Sequence, residues 1–270
     1  MANGERLRAG VVGTGHMGQY HVLVYAELPA AELVGVVDID HDRAKAIAAR
    51  YDTHAFGDHS ELIGQVDVAS VAVPTEQHFH VARDLLEAGI SVLVEKPMTP
   101  TLEEARELCA VAQRSGAILH VGHVERFNGA VDELKQIVSS PILVESRRLG
   151  PFVPRVQKDT VVMDLMIHDI DIILALVDSP PVRLAAQEYT MNRGSIRYRR
   201  ASFVEHLKVH RDNPLKLEIQ HLLDATRRRR RGDTVMLAQP DDLRSLAMAL
   251  EIERMIRDGV AEVTWRDPVP

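Results

Sequence analysis

The feature that most restricts this chain is Gly13-Thr-Gly15-His-Met-Gly18. The three glycines follow a short apolar run at residues 8–12 and open a helix-patterned stretch at residues 17–28. Between a strand and a helix, Gly13 permits a tight turn. Gly15 lets the backbone approach a pyrophosphate, and Gly18 allows helix and sheet to pack closely. The helix N-terminus then offers free N–H groups and a positive dipole end to phosphates. A second strand-like run, residues 32–38, ends in Asp38, twenty residues after Gly18. A carboxylate at that point can accept hydrogen bonds from ribose hydroxyls and repels a 2′-phosphate, which favours NAD over NADP.

The rest of the first half repeats the alternation. Helical patterns at residues 42–51, 78–88 and 101–115 alternate with apolar runs at 66–73, 90–94 and 118–121. Asp40 suits the N-cap of the first of these helices, and Gly89 and Gly116 stand just past the ends of the other two. Such spacing predicts βαβ units and a doubly wound parallel sheet. The second half reads differently. Helices are expected at 128–139, 160–177, from Asn213-Pro214 onward, and at 241–258. Strands are expected at 142–149, 182–187, 188–191, 195–200 and 203–210. The boundary is placed near residue 124: a dinucleotide-binding domain at 1–124, and at 125–270 an α+β domain with a small, mainly antiparallel sheet.

Composition excludes several classes. Hydrophobic residues make up 46% and charged residues 26%, so the chain is globular rather than disordered. The net charge of −7 argues against nucleic acid or an anionic membrane as the main partner. Cys109 is the single cysteine, so no intrachain disulfide forms. The start of the chain lacks a signal-peptide pattern, and no apolar run approaches the ~18 residues that span a bilayer. The expectation is a cytoplasmic protein without a membrane segment.

Two further motifs carry chemistry. Glu95-Lys96-Pro97 ends the fourth strand of the first half, where ligands of doubly wound sheets sit. Pro97 restricts Lys96 to an extended backbone, and the ammonium can orient a hydroxyl in the cleft. Asp164 and His168 are spaced i, i+4, and share one face of a regular helix. A carboxylate there would hold the imidazole and raise its basicity, as suits a general base; Asp171 is a second candidate partner. The histidine pairs His78/His80 and His120/His123 match no metal-ligand pattern, and no metal is expected. Arg227 to Arg231 form an unbroken run, read as a solvated helix end whose cations complement the dipole.

In this order the three motifs resemble the Gfo/Idh/MocA oxidoreductase family over nearly the whole chain. The resemblance implies an N-terminal Rossmann domain that binds NAD and a C-terminal open-sheet domain that binds a sugar or polyol. It assigns Gly13, Gly15, His16, Met17, Gly18, Asp38, Pro74, Thr75, His78, Glu95 and Lys96 to the cofactor. Lys96, His168 and Asp164 become the catalytic set, with His168 as acid/base. Gly122-His-Val-Glu-Arg-Phe-Asn128, Arg148-Leu-Gly-Pro-Phe152 and residues 164–171 look like the branch that oxidises the C3 hydroxyl of UDP-N-acetylglucosamine. That likeness places Arg126, Asn128, Arg148 and Arg155 near the nicotinamide or the substrate, together with Lys96 and His168. Arginine suits the sugar's diphosphate. The expected partners are a small-molecule substrate and further copies of the chain, a dimer or tetramer.

Two departures from the family stand out. Gly129 replaces a common proline. After residues 182–187 the chain passes directly to Glu188-Tyr-Thr-Met-Asn-Arg-Gly, where the family has several more strands, those that floor the substrate site and commonly form the subunit interface. The shortened sheet motivates an alternative, an NAD-binding scaffold or redox sensor without turnover.

Overall fold

The computed structural model describes residues 6–148, 160–177, 179, 181–186 and 213–269. Six parallel strands form one sheet: β1 (Leu7–Val12), β2 (Ala31–Val37), β3 (His54–Phe56), β4 (Val68–Val71), β5 (Ser91–Val94) and β6 (Leu119–Val121). Their order is β3-β2-β1-β4-β5-β6. This is two mononucleotide-binding halves meeting between β1 and β4, and the strand order reverses there. β4 and β5 are buried at every residue, because helices cover both faces of a parallel sheet.

The helices of this half begin and end where the side chains dictate. They are α1 (His16–Glu27), α2 (His41–Tyr51), α3 (Thr75–Glu87) and α4 (Leu102–Ser115). The Asp40 carboxylate accepts from Arg43 N at the start of α2, and the Thr101 hydroxyl accepts from Glu104 N at the start of α4. Gly116 closes α4 with φ of 71°.

The later helices are α5 (Gly129–Ile137), α6 (Ile167–Leu176), α7 (Pro214–Arg230) and α8 (Pro240–Asp258). Asn213 caps α7 by accepting from Leu215 N and Lys216 N, with Pro214 in the first turn. Although it comes late in the chain, α7 lies on the six-stranded sheet. Leu215, Ile219, Leu222 and Leu223 join Leu7, Ala9, Val11, Val68, Leu93 and Ile118 in one buried cluster. Across the sheet, Leu246 of α8 joins the second cluster, with Val12, Leu85, Leu86 and Leu108. A third, smaller cluster unites α6 and α8 with Leu184 and Trp265 at a two-stranded antiparallel sheet, β7 (Arg183–Ala185) and β8 (Glu262–Thr264).

Three expectations need revision or fall outside the structure. Residues 142–148, the described part of the 142–149 run, form no strand; Ile142 and Leu143 are exposed, and no described strand pairs with them. Strand propensity is expressed only where a pleated neighbour receives it. The arginine run does end α7, and Arg228 to Arg231 are exposed, but it is more than a solvated helix end. Arg227 donates to Ala30 O (2.8 Å), Arg229 to Gly116 O (3.3 Å) and Arg230 to Asp67 (2.7 Å), so the run clamps the end of α7 onto the first half. The strands expected at 188–191, 195–200 and 203–210, and the shortening near 187, lie outside the described residues.

Candidate active site

The glycine turn is built for a ligand rather than for packing alone. Gly13 has φ of +90°, and a Cβ there would stand 2.4 Å from Ala72 O. A Cβ on Gly18 would stand 1.8 Å from Gly13 O, so both positions exclude any side chain. Around Gly15 nothing lies within 4 Å of where a Cβ would be. The glycine there keeps open space beside the backbone, as close approach of a pyrophosphate requires. The start of α1 carries no side-chain cap and no acidic residue in its first turn, which leaves its N–H groups and dipole to an anion. His16 and Met17 lie on this first turn and are exposed. These residues fit a dinucleotide.

Asp38 lies at the end of β2 and is buried, but its carboxylate is already engaged. It accepts from Thr14 N and Oγ1 (both 2.8 Å), from Asp40 N (2.9 Å) and from Arg43 Nε and a terminal nitrogen (3.1 and 2.7 Å). Burial alone would raise its pKa; Arg43 and the surrounding N–H groups prevail and lower it to about 2. Ribose hydroxyls therefore gain Asp38 only by replacing part of the Arg43 pair.

Lys96 and Asp164 meet directly. Lys96 Nζ donates to the backbone oxygen of Asp164 at 2.8 Å and to its Oδ1 at 3.0 Å. Two of the three ammonium donors are thus spent on one residue, and the third has no partner among the described residues. Asp164 does not hold His168, as the i, i+4 spacing had predicted. The chain forms a π turn over Val162–Met166 before α6 begins. Its i→i+5 bonding breaks the i, i+4 stacking, and Asp164 turns to Lys96. Nor is the imidazole made more basic: burial, then Lys96 and Arg148, lower its pKa below the ordinary value, against smaller opposing effects of Glu125 and Asp171. His168 is thereby held neutral, and its Nδ1 is buried without a hydrogen-bond partner among the described residues.

A second layer of ion pairs backs this pair. Arg126 bonds to Asp171 and lies 2.7 Å from Asp242 Oδ1, both acids being buried. Arg148 binds Asp169 (3.1 Å) and Glu125 (3.2 Å). Asn128 Oδ1 caps α5 at Ala130 N, and its amide holds Glu125. His123, Asp171 and Asp242 are spaced closely enough for a metal, but the Arg126 guanidinium already supplies positive charge there. Burial lowers the His123 pKa to about 4.

The first 120 residues match a known pattern. Residues 7–123 fit the family model described as an oxidoreductase family with an NAD-binding Rossmann fold. Over 181 residues the chain is 40% identical to UDP-N-acetylglucosamine 3-dehydrogenase of Acidithiobacillus ferrooxidans, covering 67% of this chain and 57% of that protein. The chain belongs to the Gfo/Idh/MocA oxidoreductase family.

Two further comparisons bear on how far the likeness extends. A solved structure of the Acidithiobacillus ferrooxidans enzyme superposes with a TM-score of 0.81 at 28% identity, covering 94% of this chain and 99% of that one. Inositol 2-dehydrogenase 3 of Saccharopolyspora erythraea is 30% identical over 202 residues, 71% of this chain and 59% of that protein. Both sequence matches span little more than half of the relatives' length. No helix among the described residues is long and apolar enough to cross a membrane.

Within this family fold several of the residues expected at the cofactor or substrate also make internal bonds. His78 is 1% exposed, and its two nitrogens lie 2.9 Å from Pro97 O and Val73 O. It ties the loop after β4 to the loop after β5. Glu95 is bound by His21 (2.7 Å), which reaches Ser70 with its other nitrogen (2.9 Å). Pro74 and Thr75 start α3 at the carboxyl end of β4, beside the cleft. Arg126 and Arg148 are paired with acids, and Asn128 caps α5 and holds Glu125. Arg155 lies outside the described residues. Sequence reasoning missed His21, His123, Glu125, Asp169 and Asp242. Of these, His123 and Glu125 stood inside Gly122-His-Val-Glu-Arg-Phe-Asn128 and Asp169 inside residues 164–171, but the motifs gave none of them a role.

Proposed function

We propose that the chain is an NAD-dependent dehydrogenase that oxidises a secondary hydroxyl of a sugar, C3 of a UDP-N-acetylhexosamine. The observation that carries the reading is the Lys96 ammonium, fixed by two oxygens of Asp164 with one donor left, close enough to His168 to depress its pKa. Residues 1–124 hold the cofactor, and 125–270 supply the sugar's surroundings. Bound NAD supplies the hydride acceptor. The free donor of Lys96 meets the substrate hydroxyl and stabilises negative charge growing on its oxygen. Neutral His168 takes the hydroxyl proton. The 40% identity to a UDP-N-acetylglucosamine 3-dehydrogenase supports the choice of sugar, and inositol dehydrogenases are more distant.

The test is nicotinamide absorbance while the protein meets NAD and a panel of UDP-hexosamines, free sugars and polyols. Reduction with UDP-N-acetylglucosamine is expected. Reduction only with a polyol would overturn the substrate. Tight NAD binding with no reduction would favour a non-catalytic scaffold.

A further inference from the structure

Away from the lysine–histidine pair, a cavity of about 440 Å³ opens between β6, α5, α6, α7 and the start of α8. Its lining includes none of Lys96, Asp164, His168, Asp38 or the motif glycines. The volume is in the range of small-molecule sites. Glu218, His120 and Asp242 are its buried wall, and Asp132, Lys135 and His221 are exposed. Glu218 is 1% exposed, and neither carboxylate oxygen has a hydrogen-bond partner among the described residues. A buried carboxyl with no partner carries a large desolvation cost.

The charges in the lining point to the sign of the missing partner. Acids outnumber bases: Asp132, Glu218, Asp241 and Asp242 against Arg126 and Lys135. Arg126 is spent on Asp171 and Asp242, and Asp241 is paired with Arg244. Glu218 is left as the one deeply buried lining acid without a counter-charge. Phe127 and His221 lie 5.7 Å apart, ring to ring, and His120 stacks on His221 at 5.0 Å. These rings offer faces for methylene groups and for a cation.

We propose that this cavity is a second ligand site, taking a small organic cation whose primary ammonium group pairs with Glu218. A metal ion fits less well, because Glu218 is outside the one cluster of described residues spaced for metal ligation. An ammonium needs one carboxylate and lays its carbon stem against the rings. Without a ligand, burial and the nearby acids Glu95, Asp242 and Asp171 push the Glu218 carboxyl well above the ordinary carboxylate range and favour its proton, Arg126 opposing them. Tyr25 of α1 also faces it. Binding the cation expels that proton from the carboxyl, and the proton goes to solvent. The site is independent of the dehydrogenase reading.

The experiment is calorimetric titration of the full chain, without NAD, with n-butylammonium chloride at pH 6, 7 and 8. Saturable binding is expected, with affinity rising about tenfold per pH unit while Glu218 is protonated in the free protein. Buffers of different ionisation enthalpy should report about one proton released per amine. E218Q resembles the neutral acid, so its melting temperature should be unchanged while amine binding is lost. No saturable heat, an affinity independent of pH, retained binding in a folded E218Q, or saturation by MnCl2 but not by the amine would each overturn the proposal. None of these outcomes bears on NAD reduction.

Discussion

Lys96 and His168 divide the work at the level of single side chains. K96A removes the donor that stabilises oxygen charge, and H168A removes the base. Each should lower kcat by about 10²–10⁴-fold, while NAD affinity stays within a factor of about three, read by steady-state kinetics and a binding titration. D164N keeps the backbone acceptor for Lys96 and should cost far less than K96A. The pH profile has a definite sign. His168 must be neutral to accept a proton, and its surroundings lower its pKa. The acid limb of kcat/KM should therefore fall below the ordinary imidazole value of about 6.5, with activity lost as pH falls through it. A limb above pH 7 would remove His168 as the base. The position of Lys96 was legible in the sequence because Glu95-Lys96-Pro97 follows an apolar run that is strand β5. The partner of Asp164 was not, because a π turn cannot be seen in an i, i+4 count. The ion pairs of Arg126 were hidden for a related reason: the sequence shows the cation but not the distant Asp171 and Asp242 that claim it.

The strand–glycine–helix element makes the sharpest contrast among secondary structures. G15A places a methyl where nothing lies within 4 Å, so thermal stability should hold while NAD affinity drops at least tenfold. G18A forces a Cβ to 1.8 Å from Gly13 O and should lower the melting temperature and yield of folded protein. If G15A bound NAD normally, the open space there would not be the pyrophosphate cradle. The parallel strands were readable because both of their faces are buried and their residues are apolar without alternation. The 142–149 run misled because its Ile142 and Leu143 satisfied propensity without finding a sheet. The three-residue strands β3 and β8 went unseen, since so short a segment carries no period.

Across the whole molecule, α7 ties a late segment to the first core. L222A should cost about 2–5 kcal/mol in chemical denaturation, because Leu222 is fully buried against the sheet. Asp67 anchors the far end through Arg8 and Arg230. Burial would raise its pKa, but these partners lower it overall. Its contribution is therefore present above the unfolded carboxylate pKa and is lost as pH falls through the lower folded value. R230A should reduce that acid-sensitive part of the stability. This docking also sets an order in time. β6 ends at Val121, whereas α7 starts at Pro214. At about 5–20 residues per second, a ribosome needs roughly 5–20 s to make the intervening stretch. For that interval the nascent sheet has no α7 on its apolar face, and its covering arrives only once residues 214–230 have been made.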